Sequence, residues 1–363
     1  MKIKTITCHH VYNAGASLQA YALAQYLREK GHEVQIIDYR PDYLSRHYRL
    51  DRVDNPRYDR PFLRAAYLLA KLPGRLWRLG SRKKRQFDRF TREYLPLTRR
   101  YGSLAELREN PPQAQVYLAG SDQIWNSVFL NGRDGAFYLT FAPQSAVRAA
   151  YAASFAVPQL PGEWAAQQKE WIAALDIVSV REESAVALLG TLGIDTARAV
   201  MDPVFLLPRS HWHRLALRPR GGAPYVLIYA FDENEDMART ARELAARCGW
   251  EIRSIGRCAF ARRRESGGPR ELLGLVENAQ CVLTDSFHAL AFSLIFQRPF
   301  LTFRRKEEIN TRLEDLLRLA GLEERGDALQ SIDWTAVQAR LDERTERSRT
   351  LIDEVLHCAG EKG

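Results

Sequence analysis

Short apolar runs alternate with helix-length amphipathic segments along almost the whole chain, and this rhythm limits the fold more than any other feature. Residues 2–8 (KIKTITC) read as a buried strand. A polar loop follows from His9 to Gly15, then a helix from about Ser17 to Lys30, which Gly31 closes. Glu33–Asp38 (EVQIID) reads as the next strand. Strand–loop–helix–strand openings of this kind build parallel α/β sheets. The rhythm returns at Gln115–Ala119, Arg148–Ser154, Ile177–Val180 and Arg198–Met201, with helices over Pro161–Ala174 and Glu182–Leu192.

Pro203 to Pro224 holds four prolines and the adjacent Gly221 and Gly222, and there the character changes. A second series then starts at Tyr225–Tyr229 (YVLIY). It runs through a helix at Glu235–Arg247, a strand at Glu251–Ile255, a helix at Arg270–Asn278, a strand at Gln280–Leu283, a helix at about Phe287–Phe296 and a strand at Phe300–Phe303. The pattern predicts two Rossmann-like domains facing a cleft, one over 1–205 and one over 222–330. A long amphipathic helix within 331–363 is expected to pack back on the first domain. Between 40 and 110 the rhythm breaks. Pro61 to Arg100 is basic, helix-prone and aromatic, and reads as an inserted helical pair.

A chain of 363 residues has room for two such domains. Its longest apolar run, Ala289 to Phe296, is far below the roughly 20 residues that span a bilayer. No opening segment reads as a signal peptide, so a cytoplasmic protein is expected. The five cysteines are scattered and none forms a CxxC pair, which fits free thiols. The net charge of +9 comes mostly from arginine. Nucleic acid, an anionic membrane surface or anionic substrates would each account for it, and composition does not choose. No nucleic-acid-binding module is legible, so nucleic acid is not expected as a partner.

Five constellations fall where a strand hands over to a helix, which is where open α/β sheets place ligands. The first is His9-His10-Val11-Tyr12-Asn13-Ala14-Gly15. A helix start favours anions and Gly15 lets a ligand come close, although a plain capped turn would look the same. The second is Gly120-Ser121-Asp122-Gln123-Ile124-Trp125-Asn126, which is a ligand loop or a helix cap. The third puts Arg181 at the end of Ile177–Val180, either over the sheet edge or paired with Glu182 or Glu183. The fourth is Thr284-Asp285-Ser286-Phe287-His288. His288 in the first turn of a helix is placed for proton transfer, or is a satisfied capping-region histidine. The fifth is Asn310-Thr311-Arg312, where an arginine near a helix start hints at an anion, or is only a solvated charge. Neither GxGxxG nor GxxxxGK[ST] occurs, and no nucleophile elbow is present. Cys8-His9-His10 is not read as a metal site, since neighbouring side chains on a strand face opposite ways.

Taken in order, these pieces resemble the polysaccharide pyruvyl transferase family. The matching residues are Asn13-Ala14-Gly15-Ala16 with Leu18 to Leu23, Gly120 to Asn126, Tyr151-Ala152-Ala153-Ser154-Phe155, Ser179 to Glu182, Asp202-Pro203, and Thr284 to Ser293. The resemblance implies a glycosyltransferase-B-like fold. It also implies transfer of a pyruvyl group from phosphoenolpyruvate to two hydroxyls of a sugar, giving a cyclic ketal on a cell-surface polysaccharide. No cofactor is implied beyond phosphoenolpyruvate as donor. On this reading His288 contacts the donor or acts as acid, and Asp122 is a base or hydroxyl acceptor. Asn13, Gly15, Ser121, Ser154, Arg181, Ser286, Asn310 and Arg312 line the substrates. Two positions depart from the family's pattern: Ser286 stands where arginine is frequent, and Ala289 where glycine is. The acceptor is expected to be a sugar or lipid-linked oligosaccharide, with the basic insert as a peripheral contact to anionic membrane at the inner face. A nucleotide-sugar glycosyltransferase on the same fold, or a non-catalytic member of a polysaccharide assembly complex, is the alternative.

Overall fold

A computed structural model describes residues 1–44, 80–157, 159–160, 162–231, 233–256, 258, 261–305, 311–323 and 330–362, with isolated positions between 63 and 71. Asn310 and most of the basic stretch from Pro61 to Leu79 lie outside the described residues.

The described strands form two wholly parallel sheets. The first takes β1 (Lys2–Ile6), β2 (Glu33–Tyr39), β3 (Leu97–Tyr101), β4 (Val116–Ala119), β5 (Val147–Ala153), β6 (Ile177–Val180) and β7 (Arg198–Ala199), in the order β3-β2-β1-β4-β5-β6-β7. The second takes β8 (Tyr225–Tyr229), β9 (Glu251–Ile255), β10 (Arg263–Glu265), β11 (Cys281–Thr284) and β12 (Phe300–Thr302), in the order β10-β9-β8-β11-β12. The central strands β4, β8 and β11 are buried along their whole length, as strands covered by helices on both faces must be. This is the glycosyltransferase-B-like pair of Rossmann-like units. In each sheet the order reverses beside the first strand, so β1/β4 and β8/β11 are switch points where loops diverge and ligands bind.

The stretch between 40 and 110 is not purely a helical insert. It contains helices α2 (Arg82–Tyr94) and α3 (Leu104–Glu109), but Leu97–Tyr101 is the edge strand β3, paired in parallel with β2. Backbone pairing builds this strand. Its exposed Arg99 and Arg100 carry the charge that edge strands use against further pairing, and that charge hid the strand.

Helix α1 (Ala14–Glu29) begins three residues before the position the periodicity gives, because Asn13 caps it: Asn13 Oδ1 accepts from Ala16 N at 3.2 Å. The helix is buried nearly all round, as a helix between two layers should be. It packs on β2 and also on α8 (Pro269–Glu277) of the second unit. Further helices among the described residues are α4 (Gly162–Ala173), α5 (Glu183–Thr191), α6 (Arg209–Leu215), α7 (Glu235–Cys248), α9 (Phe287–Ile295), α10 (Thr311–Ala320) and α11 (Trp334–Lys362). Leu18 and Leu23 of α1 share one continuous apolar cluster with Leu272, Phe292 and, from α11, Ile352 and Val355. The two units therefore meet through packed side chains. Helix α11 lies against β4 and β5 and is pinned by Arg344–Glu183 and Arg198–Glu354 contacts.

Candidate functional site

The carboxyl ends of the two sheets bring together an alternating chain of charges. Its members are Arg312, Asp122, Arg181, Asp202 and His288. Asp122 Oδ1 accepts from Arg181 Nη2 at 2.9 Å and from Arg312 Nη1 at 3.3 Å. Arg181 Nη1 donates to Asp202 Oδ2 at 2.8 Å, and His288 Nε2 lies 3.5 Å from the same oxygen. Asp122, Arg181 and Asp202 come from the first unit, whereas His288 and Arg312 come from the second. Asp202 is 1% exposed, Arg181 5%, and His288 and Arg312 6% each. Asp122 has the most exposed side chain of the chain, so solvent reaches the cluster there.

Local folding explains each position. The loop after β4 is stitched to the end of β5: Ser154 N donates to Asp122 O at 3.0 Å and Trp125 N to Ser154 O at 3.3 Å. Asp122 sits at φ +74°, a left-handed conformation that Asp tolerates and that recurs at functional sites. Gly120, at φ +129°, lies against Tyr151 O, which a Cβ would approach to 2.0 Å. Asp202 lies three residues beyond β7 and caps the turn that follows it, accepting Val204 N on Oδ1 at 3.1 Å. Pro203 at the first position of that turn fixes the geometry. The Phe287 ring lies under both guanidiniums, 4.6 Å from that of Arg181 and 5.9 Å from that of Arg312.

The remaining sequence candidates fall around this chain. Ser121 Oγ donates to Gln19 Oε1 at 2.9 Å and lies 3.5 Å from Asp202. Gln19 in turn donates to Thr7 Oγ1 at 3.0 Å. Ser154 donates to Glu182, whose carboxyl burial holds above the usual range despite the nearby Arg181. Ser286 caps α9 by position, without a side-chain cap bond. Gly15 touches the His288 ring, and a Cβ added there would meet Nδ1 at 2.1 Å. Asn13 serves as the cap of α1, half-buried beside it.

Gly15→Ala is therefore expected to push His288 out of its seat and to cost about 1–3 kcal/mol of stability. Denaturant unfolding checks this, and in the double variant Gly15→Ala/His288→Ala most of the loss should return.

Electrostatics set what the chain of charges can do. Burial alone would raise the carboxyls of Asp122 and Asp202. Arg181 and His288 outweigh it at both, joined at Asp122 by Arg312, and both groups are held below the ordinary carboxylate range. Arg181 donates to two carboxylates and Arg312 to one, and the Nε of each is buried without a partner. Burial and then the like charge of Arg181 lower the pKa of Arg312 to about 10. With its oxygen turned inward, the Gln123 amide accepts from the Arg312 guanidinium. An anion entering at Asp122 would meet Arg312 as the under-compensated cation. The cavity beneath the chain, lined by Asp202, Phe287 and Arg312, measures about 10 Å³, enough for a single water. The solvent-facing end of the cluster is thus at Asp122.

Sequence reasoning missed three participants. Asp202 was read only as part of a motif, but it joins both units. Gln19 and Glu182 anchor Ser121 and Ser154. Arg305 is a fourth addition: its Nε donates to Asp285 O at 3.2 Å and its guanidinium stacks 4.0 Å from the Phe231 ring. It follows β12 at the same sheet edge as Ser286, and the Arg304-Arg305-Lys306 run was its only signal. His9 is satisfied inside the fold, with Nε2 3.0 Å from Asp38 Oδ1. Among the described residues no group of three or more His, Cys, Asp or Glu could hold a metal ion, and no helix is long and apolar enough to cross a membrane.

A charged cluster assembled from the carboxyl edges of two parallel sheets is the arrangement of a two-domain α/β protein. The model of the family described as polysaccharide pyruvyl transferase matches residues 13–307, which is most of the chain. The chain belongs to the polysaccharide pyruvyl transferase family. No curated protein matches it in sequence. Among solved structures it is similar to the UDP-GlcNAc 2-epimerase of Neisseria meningitidis, at TM-score 0.47 and 10% identity over 98% of this chain and 99% of that one. It is also similar to the UDP-GlcNAc 2-epimerase of Methanocaldococcus jannaschii, at TM-score 0.45 and 12% identity over 95% and 93%. A third is the Escherichia coli heptosyltransferase, at TM-score 0.37 and 10% identity over 83% and 88%. These likenesses are distant and bear on neither donor nor acceptor.

Proposed function

We propose that the chain transfers the pyruvyl group of phosphoenolpyruvate to two hydroxyls of a sugar, in a surface polysaccharide or its lipid-linked precursor, as a cyclic ketal. The family supplies the reaction class, and the single observation that carries the reading is Arg312, a buried cation with too little counter-charge at the solvent-facing end of the chain of charges. A small molecule with both a carboxylate and a phosphate suits such a group. Arg305, beside Asp285, supplies a second guanidinium near the place where the family frequently has one and this chain has Ser286. Arg181, held by two carboxylates, positions Asp122 and Asp202 and does not itself face the donor.

The step balances simply. The enol CH2 of phosphoenolpyruvate gains a proton and becomes the ketal methyl. A first sugar oxygen bonds to the adjacent carbon, the carbon–oxygen bond to phosphate breaks, and a second sugar oxygen takes its place. Two hydroxyl protons are released, matching the one gained by carbon and the one left with phosphate or solvent. His288 is the acid, backed by Asp202 and seated against Gly15. Asp122 is held too far down to be a strong base. As a carboxylate at the solvent-facing end it orients a sugar hydroxyl by accepting its hydrogen bond. Because Asp202 and Gly15 flank the two ring nitrogens, His288 must turn or the units must part for the proton to move.

The test is a paired assay with an acceptor glycan. Phosphate should be released from phosphoenolpyruvate in step with a new ketal methyl signal. Consumption of a nucleotide sugar, with phosphoenolpyruvate untouched, would replace this reading with glycosyl transfer.

A further inference from the structure

A second basic feature lies at the opposite edge of the second sheet. The charge chain sits beyond the carboxyl end of β11, whereas this feature borders the starts of β11 and β12. It is a groove of about 940 Å³ lined by Arg209 at the start of α6, Arg218 after its end, Glu277 at the end of α8 and Arg298 in the turn before β12, with Ser210 and His213. Arg209 donates to the neutral Gln297 at 3.1 Å. Arg298 keeps Nε buried and unbonded. Among the described residues, Glu277 is the lining carboxylate, and it is engaged by His213 Nδ1 at 2.6 Å. Three guanidiniums thus share a groove with one carboxylate that already has a partner. Like charges that outnumber their counter-ions favour an anionic ligand, and the planar fork of arginine favours carboxylates.

We propose that this groove binds a glycan chain bearing carboxylates. The volume is at the upper end of the roughly 300–1,000 Å³ typical of small-ligand pockets. Arg209, Ser210, His213 and Arg218 are exposed along it, so the groove is open for a chain to pass through. The guanidiniums come from three separate segments, which suits charges repeated along a polymer. Ser210 and Asn278 offer neutral polar groups for hydroxyls. The inference rests on the proposed reaction in one respect: each pyruvyl ketal leaves a carboxylate on its sugar, so an already modified stretch of product carries the matching charge. The groove would then hold the product chain while new repeats reach the chain of charges.

Calorimetric titration of the full chain with an oligogalacturonate, and with a neutral maltooligosaccharide of equal length, tests this. The wild type should bind the oligogalacturonate and bind the neutral chain far more weakly. Arg218→Ser/Arg298→Ser should weaken oligogalacturonate binding by roughly tenfold or more. Arg209→Ser/Arg218→Ser changes only exposed side chains, so it gives the same reading should the first variant misfold. The charge-matched variant Arg89→Ser/Arg92→Ser, on exposed positions of α2, should bind like the wild type. Equal weakening in the α2 variant, unchanged binding in the groove variants, or no binding by the wild type overturns the proposal. Phosphate release from phosphoenolpyruvate with a short neutral acceptor reports on the reaction separately. Its absence would remove the donor reading while leaving the glycan titration interpretable.

Discussion

Asp202→Ala is expected to destabilise the protein by about 3–5 kcal/mol, the usual cost of removing one partner from a buried ion pair. The carboxylate is 1% exposed and faces Arg181, His288 and Ser121 at once. Its loss leaves the Arg181 guanidinium buried without one of its two ion-pair partners. Urea unfolding measures the effect. The pH dependence follows from sign. Asp122 and Asp202 are held below their ordinary range in the folded protein, so the unfolded chain takes up protons first on acidification. Their stabilisation is complete above about pH 4 and is lost as the pH falls further. The variant lacks one of these contributions, so its stability should fall less steeply below about pH 4. A loss under about 1 kcal/mol would mean that the carboxylate is not holding the two units together.

His288→Ala is expected to lower turnover by roughly a hundredfold or more, the usual contribution of a positioned acid. The ring lies between Gly15 and Asp202, so its removal also leaves space at the junction of the units. The two roles separate in the pH–rate profile. An acid leaves a limb that vanishes in the variant, whereas a purely packing residue lowers the rate equally at every pH. His288→Asn keeps polarity and much of the size, and should restore stability without restoring turnover. Turnover near that of the wild type in either variant would remove the catalytic assignment.

Much of the fold was legible because central parallel strands are continuous apolar runs: KIKTI, VYLA, YVLIY and CVLT each became a fully or largely buried strand. The edge strands β3 (LTRRY) and β10 (RRE) were not legible, because backbone pairing makes them and their exposed arginines break any apolar run. Helix α1 starts ahead of its apolar periodicity because its cap, Asn13, lies in the polar loop before it. At the site, the strand-to-helix handovers pointed to Asp122, Arg181 and His288, which do converge. Their pairing did not follow from order along the chain: Asp122 meets Arg312 across 190 residues and Arg181 across 59. Arg181 is placed at the sheet edge by the sequence, but its order along the chain does not reveal that Asp122 and Asp202 flank it in space. Asp202 was overlooked for the same reason: its partners lie in three other elements.

The Thr284 to His288 segment thus carries less of the donor than its position first implied, and more of the junction between the two units. In the proposed reaction the donor is assigned to Arg312. Titration of phosphoenolpyruvate into the purified chain and into Arg312→Gln tests this most directly. The account predicts saturable binding by the wild type and weakening of roughly tenfold or more in Arg312→Gln. No binding of phosphoenolpyruvate by the folded wild type, alongside saturable binding of a nucleotide sugar, would contradict it.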